Sequence, residues 1–128
     1  MAEFTVISVS GPPAARDAMR ELRAGKHVVL LGGGVSLEEE IELKRAAAER
    51  EILLLGPECG TAIIEGKGYG FANAVRLGPV GIIGTVGTGI QEVSCLVDKV
   101  GVSHALGVGR QDLSQKVDGL GTVSALKF

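Results

Sequence analysis

The chain has no tryptophan, one tyrosine and three phenylalanines, so aromatics make up only 3% of it. Any core must therefore be built from Val, Leu, Ile and Ala, and hydrophobic residues at 45% supply enough of them. The two cysteines, Cys59 and Cys95, are too few for a disulfide framework and give no metal-ligand spacing. The formal net charge is −2, without the clustered Lys and Arg that phosphate contacts need, which argues against a nucleic-acid partner. Long apolar runs are missing too. The longest, Val28 to Leu31 with its glycines, has the length of a strand, so no membrane segment is expected. Glu3 interrupts the start and leaves nothing that reads as a secretory signal. These absences point to a soluble cytoplasmic protein of one modest domain or two half-size lobes.

Glycine is what the sequence has in abundance, with 20 in 128 residues. The most telling are in Val80-Gly81-Ile82-Ile83-Gly84-Thr85-Val86-Gly87-Thr88-Gly89-Ile90-Gln91-Glu92. Val80 to Ile83 reads as a buried parallel strand. Gly84 to Gly89 reads as a tight turn. Val93, Leu96, Val97 and Val100 then recur at helical spacing, with Glu92, Asp98 and Lys99 between them. A glycine turn at a helix start lets an anion approach the free first N–H groups, and the helix dipole favours the charge. A phosphate or carboxylate site is expected at Gly84, Thr85, Val86, Gly87, Thr88 and Gly89. The spacing is neither that of a P-loop nor G-x-G-x-x-G, so packing alone is an equal reading of the same glycines.

Before that stretch the chain alternates strands and helices. Phe4 to Val9 is a strand. Pro12 and Pro13 suit the first turn of a helix that runs to about Arg23, with Ala15, Met19 and Leu22 on one face and Ala24-Gly25 closing it. Lys26 to Leu31 is the next strand, and Gly32 to Gly34 its exit loop. Ser36 and Glu39 form a capping box, and the acids Glu38, Glu39 and Glu40 suit the first turn of the second helix. Its apolar stripe is Leu37, Ile41 and Ala48, interrupted by Lys44. Ile52 to Leu55 is a third strand, leading into Gly56-Pro57-Glu58-Cys59-Gly60. The β-α-β-α-β order predicts an α/β fold with parallel sheets and flanking helices. Ligands then collect outside the carboxyl ends of the strands, at Ser10-Gly11, Gly32 to Gly34 and Gly56 to Gly60. Ile63-Ile64 suggests a short strand, and Gly66, Gly68 and Gly70 break the stretch after it. Ser103 to Val108 is a further strand, and Thr122 to Phe128 is too short to type.

The segment Gly56-Pro57-Glu58-Cys59-Gly60 resembles the Gly-Pro-Asn-Cys-Pro-Gly of succinyl-CoA synthetase alpha subunits and related NDP-forming acyl-CoA synthetases. It is closer to their FdrA branch, where Gly-Pro-(Asp/Glu)-Cys-Gly-Thr-Ala-Ile is usual. The resemblance continues through Ile7 to Pro12, Leu31 to Ser36, Phe71-Ala72-Asn73, Val80 to Glu92, Ser103 to Gly107 and Asp112-Leu113-Ser114, nearly the whole chain. It implies a partial Rossmann-like CoA-binding lobe over 1–65, a linker over 66–79, and the start of a flavodoxin-like succinyl-CoA synthetase-type ligase lobe over 80–128. By position, Ser10, Gly11, Leu31, Gly32 and Gly33 match loops that line the CoA groove. Val86-Gly87-Thr88 matches the start of the helix facing the transferred phosphate. Gln91 stands where synthetases have a tyrosine near the substrate, and His104 falls within the resemblance; both are candidate catalytic residues, although His104 sits in a strand-like run, where a core histidine is the favoured reading. CoA and phosphate or carbamoyl phosphate are the implied ligands.

The departures set the expected function. The family's earlier strand, its glycine-rich CoA phosphate loop and its phosphorylated histidine have no counterpart in these residues, and Val86 replaces a serine. The chain alone is expected to lack nucleotide-dependent acyl-CoA synthetase activity and to complete its sheets as a homo-oligomer or with partner subunits. The resemblance implies an FdrA-type homologue, part of a carbamoyl-transfer assembly of the oxamate carbamoyltransferase kind. The alternative is a non-catalytic CoA- or anion-binding module or a structural subunit. Among single residues, His27 reads as structural, Cys59 as a turn-packing thiol and Cys95 as core. Arg110, with Gln111 and Asp112, is either a bidentate carboxylate clamp or a solvated loop charge. No metal site is expected.

Overall fold

A computed structural model describes residues 3–128. The order of elements is β1 (Phe4–Ile7), α1 (Pro12–Arg23), β2 (His27–Leu30), α2 (Leu37–Glu49), β3 (Leu54–Leu55), β4 (Thr61–Ile64), β5 (Lys67–Gly70), β6 (Val80–Gly84), α3 (Gly87–Leu96), β7 (Val102–Gly107) and α4 (Leu120–Lys127). The fold is α/β, as the alternation of strands and helices predicts.

β1, β2 and β3 form one parallel sheet in that order, with Phe4 opposite His27 and Val28 opposite Leu54. The prolines enter α1 at its first two positions behind Gly11, whose φ of 75° suits glycine. Ala14, Ala15, Ala18 and Leu22 of α1 pack with Leu43 and Ala47 of α2 on one face of this sheet, against Ile7, Val28, Leu30 and Leu54. Small alanines let α1 lie close. The capping box of α2 forms in full, with the Ser36 hydroxyl accepting from the Glu39 N–H and the Glu39 carboxylate accepting from the Ser36 N–H.

The second sheet runs β5-β4-β7-β6 and is mixed. β6 and β7 are parallel, while β4 is antiparallel to both β5 and β7. The glycines at 66, 68 and 70 do not break the chain into a linker; they lie in a β-hairpin that pairs Ile63 with Gly68. Residues 61–70 thus belong to the second sheet. β6, expected as a buried strand, is an edge strand and only partly buried. The face of the first sheet that α1 and α2 leave open packs on the second sheet, through Val29, Leu53 and Leu55 against Ala62, Ile64 and Leu106. α3 covers the far face of the second sheet with Ile90, against Ile63, Val102 and Ala105.

Two faces of helices differ from the expected stripes. On α2 the buried residues are Glu40, Leu43, Lys44 and Ala47, while Ala48 is exposed. Burying the two charged residues is made tolerable by an ion pair described below. On α3 only Ile90 and Ser94 are buried, whereas Val93 and Leu96, and Val100 in the turn beyond the helix, are exposed, and so is Cys95, against its expected place in the core.

His27 is structural. Its Nδ1 accepts the Leu53 N–H at 2.9 Å, its ring stacks on Phe4 with centroids 4.9 Å apart, and burial lowers its pKa. The folded state therefore holds a neutral ring that the unfolded chain would protonate near its ordinary pKa of about 6.5. The stability from this site is complete above that pKa and is lost as pH falls through it toward the lower folded value. Urea titrations at pH 7.5 and pH 5.5 should show the wild type losing more stability than His27→Asn, which keeps an acceptor but has no imidazole to protonate.

Candidate functional site

Three loops meet at the carboxyl ends of β1, β2 and β3. The Gly11 N–H donates to the Gly33 carbonyl at 2.7 Å, and the Glu58 N–H donates to the Gly32 carbonyl at 3.1 Å. Gly32 is buried, and a Cβ on it would stand 1.9 Å from the Val9 carbonyl oxygen, so no other residue fits that crossing without moving backbone. Ser10 is exposed, and Gly11, Leu31 and Gly33 are half-buried along the same rim. The structure thus brings together Ser10, Gly11, Leu31, Gly32 and Gly33.

The turn Gly56 to Gly60 links that rim to the second sheet. Its Gly56 N–H donates to the Gly107 carbonyl at 3.0 Å, and Gly60 packs on Gly87 at the start of α3. A Cβ on Gly87 would lie 3.2 Å from both the Gly60 Cα and the Thr61 hydroxyl oxygen. A side chain at Gly87 would thus be tight against the Gly60 backbone, while its φ is not in the left-handed region. The Thr61 hydroxyl, buried beside it, has no hydrogen-bond partner among the described residues.

At this helix start the backbone is open. The first hydrogen bond into α3 runs from the Ile90 N–H to the Val86 carbonyl at 3.1 Å. The N–H groups of Gly87, Thr88 and Gly89 have no partner among the described residues, no side chain caps the helix, and its first turn holds no acid. Thr88 and Gly89 are exposed, and Val86 is exposed beside them. Gly84 ends β6 beneath the turn, where its lack of a side chain leaves room for Ile90, whose Cγ1 would sit 2.8 Å from a Cβ. Gly84, Thr85 and Val86 thus shape the approach to three unmet donors. α2 differs, because its own serine and glutamates already satisfy and neutralise its N-terminus.

The two candidate catalytic residues lie outside this turn. His104 on β7 pairs with Gly81, three residues before the Gly84 end of β6, roughly 10 Å away at strand rise. Its ring meets Phe128 edge-on at 5.8 Å, in a cluster with Phe4 and His27. The Gln91 amide donates to the Phe71 carbonyl, and the Gln91 carbonyl accepts from Asn73 and Ser94, so this residue ties the segment after β5 to α3. Cys59 is buried, its thiol pushed up to about 11 by burial, which fits a packing role.

A buried charge network had no counterpart among the expectations from sequence. Lys44 Nζ donates to Glu40 at 2.8 Å, to the Val108 carbonyl at 2.9 Å and to Asp112 Oδ1 at 2.7 Å, which satisfies all three of its N–H groups. Asp112 in turn accepts from the N–H groups of Gly121 and Thr122 and from the Thr122 hydroxyl, so a carboxylate remote in sequence caps α4. Asp112 is thus taken up within the fold, and Arg110, for which a clamp and a solvated loop charge are equal readings of the sequence, ion-pairs with Glu58 at 2.9 Å. Glu58 holds a positive φ of 60° and rests on Gly33, where a Cβ would come within 2.9 Å of its Oε1. The i, i+4 spacing of Glu40 and Lys44 was legible, but a partner 68 residues away was not. Among the described residues no group of His, Cys, Asp and Glu could hold a metal ion. Among them, too, no helix is long and apolar enough to cross a membrane.

No family model matches the chain. Over 96 residues it is 47% identical to "Uncharacterized protein YahF" of Escherichia coli (strain K12). That match takes in 75% of this chain and 19% of YahF, so the chain spans under a fifth of the relative. Among solved structures it superposes on the dinucleotide-forming acetyl-coenzyme A synthetase 1 of Ca. Korarchaeum cryptofilum, with a TM-score of 0.65 and 23% identity over 85% of this chain and 26% of the synthetase. That enzyme has also been captured with phosphate and ADP. The ATP citrate lyase of Methanothrix soehngenii, in complex with citrate and coenzyme A, superposes with a TM-score of 0.73 and 18% identity, over 84% of this chain and 20% of the lyase. The chain thus has the α/β fold of CoA-ligase-like proteins.

Proposed function

We propose that the chain is the anion- and CoA-binding core of an FdrA-type homologue of the NDP-forming acyl-CoA synthetases. The N-terminal turn of α3 holds phosphate or the phosphoryl end of carbamoyl phosphate. CoA runs along the rim at Ser10, Gly11, Leu31, Gly32 and Gly33. Partner subunits or further copies of the chain complete the carbamoyl-transfer or acyl-transfer site. The observation that carries this reading is the exposed start of α3, with three unpartnered N–H groups and no capping acid, set against the CoA rim by the Gly60–Gly87 contact. The phosphate and coenzyme A bound by the structural neighbours support the choice of ligands. A second reading, a binding module without chemistry, is favoured by the commitment of His104 to an aromatic cluster and of Gln91 to the Phe71 carbonyl. Turnover with and without candidate partners separates the two.

Gly89→Asp tests the anion site cleanly. A Cβ there meets nothing within 4 Å, and φ is not positive, so the variant folds. The new carboxylate at the helix start should add about 0.3–1 kcal/mol of stability through the dipole while occupying the donors. Phosphate and carbamoyl phosphate should raise the melting temperature of the wild type and leave that of Gly89→Asp unchanged. Equal shifts in both proteins would place the anion elsewhere.

A further inference from the structure

A cleft of about 300 Å³ opens between the start of α2, the Pro57–Glu58 corner and the loop at Arg110 and Gln111. Its volume is at the lower end of the roughly 300–1,000 Å³ of small-molecule sites. The start of α3 does not line it. Glu40 does, although that residue is only 5% exposed. Its Oε1 accepts from Lys44, while its Oε2 has no partner among the described residues and is not sealed off in the core. A carboxylate oxygen of a residue this buried, left without a protein partner beside a cleft, is a ready acceptor for an N–H or O–H donor. Arg110 also lines the cleft, with its Nε ion-paired to Glu58 Oε2 at 2.9 Å and its two terminal nitrogens without partners among the described residues.

The charges decide what fits. Lys44 is shared between Glu40 and Asp112, so one of those carboxylates is uncompensated, while Glu58 and Arg110 cancel. The inner end of the cleft is therefore negative and its mouth presents a guanidinium. A phosphate would face two carboxylates, and a simple amine would leave Arg110 unused. We propose that this cleft binds a small molecule with an N–H donor, ammonium or primary amide, at one end and a carboxylate at the other. The donor meets Glu40 Oε2, and the carboxylate is taken bidentately by the terminal nitrogens of Arg110. Gly34, Val35, Leu37, Pro57 and Gln111 form the rest of the lining.

The test is a titration of the ¹⁵N-labelled chain with glycine, β-alanine and 4-aminobutanoate, which grade the distance between the two ends, and with propionate and ethylamine as one-headed controls. At least one of the three zwitterions should move the amide resonances of Gly34, Val35 and Gln111 and bind at least tenfold more tightly than either control. Arg110→Met, at an exposed position, should fold and lose at least tenfold in affinity. Glu40→Gln, which keeps an oxygen for Lys44, should lose a comparable factor. Propionate or ethylamine binding as well as the best zwitterion would overturn the proposal. So would unchanged affinity in folded Arg110→Met, or no movement with any of the three. The Thr88 and Gly89 amides in the same spectra report phosphate at the start of α3 separately, so failure at one site is not failure at the other.

Discussion

Lys44→Met should destabilise the chain by about 3–5 kcal/mol, the cost of removing one partner from a buried ion pair and leaving the other charged. That is a large share of the roughly 5–15 kcal/mol that holds a domain of this kind together. The loss follows from the geometry. Lys44 is the sole cation touching Glu40 and Asp112 among the described ion pairs, and it joins α2 on the first sheet to the loop that leaves β7 on the second. Burial by itself would push the Asp112 carboxyl up, but hydrogen bonds from Lys44 and Thr122 outweigh it and hold the group below its ordinary value. Stability from Asp112 is thus complete above the ordinary carboxylate range and is lost as pH falls through the lower folded value. Adding Glu40→Gln and Asp112→Asn to Lys44→Met should recover part of the loss, because the uncompensated charges go, while the amide keeps only one of the two oxygens that accept from Gly121 and Thr122 at the start of α4. Urea denaturation of the single and triple variants at pH 7 checks both. A single variant within about 1 kcal/mol of wild type would mean that water reaches the network and screens the charges.

Gly32→Ala should be nearly as damaging, about 3 kcal/mol, at the upper end of overpacking effects. Its Cβ would meet the Val9 backbone oxygen at 1.9 Å, and a carbonyl between a strand and a helix start has nowhere to go. Gly33→Ala, one residue on, meets only the Glu58 side chain, which can swing away from Arg110 into solvent. Its cost should stay under about 1 kcal/mol, in the range of changes that a flexible neighbour absorbs. Thermal melts of the two variants side by side would settle whether the rim is fixed at Gly32 and adaptable at Gly33.

The first sheet was legible because its signals are local. The two prolines behind Gly11, the Ser36–Glu39 box and the run into Gly56 each depend on residues within one turn of one another. The fold class came from them, as did the meeting of the three loops. The features that were not legible depend on distant partners. α2 turns a face with Glu40 and Lys44 inward because Asp112 waits there, and no reading of one helix can supply that. The hairpin over 61–70 uses glycine at alternate positions, which weakens strand propensity, and only pairing with β4 makes β5 a strand. Most of the apolar residues expected on the buried face of α3 remain outside, since the core beneath takes Ile90 and, in part, Val97 at the helix end, and leaves Val93 and Leu96 exposed. The start of α3 was found from glycine placement alone, whereas the orphaned Thr61 hydroxyl beside it left no trace in the sequence.

The position of β7 between β4 and β6 governs the order in which the chain can assemble. The strand pairing of the first sheet is complete at residue 55, although one of its faces is covered only by later residues, among them Ala62, Ile64 and Leu106. The second has no centre until residues 102–107 emerge, because β4 and β6 do not touch each other except through that strand. Until then the β4–β5 hairpin and β6 wait unpaired, and Lys44 has no Asp112. Before β7 is made, the edges of β4 and β6 that it covers are open, and exposed strand edges are prone to pair wrongly. A chain ending before residue 102 would have its first sheet paired and its β4–β5 hairpin closed, but would lack the strand that joins the hairpin to β6.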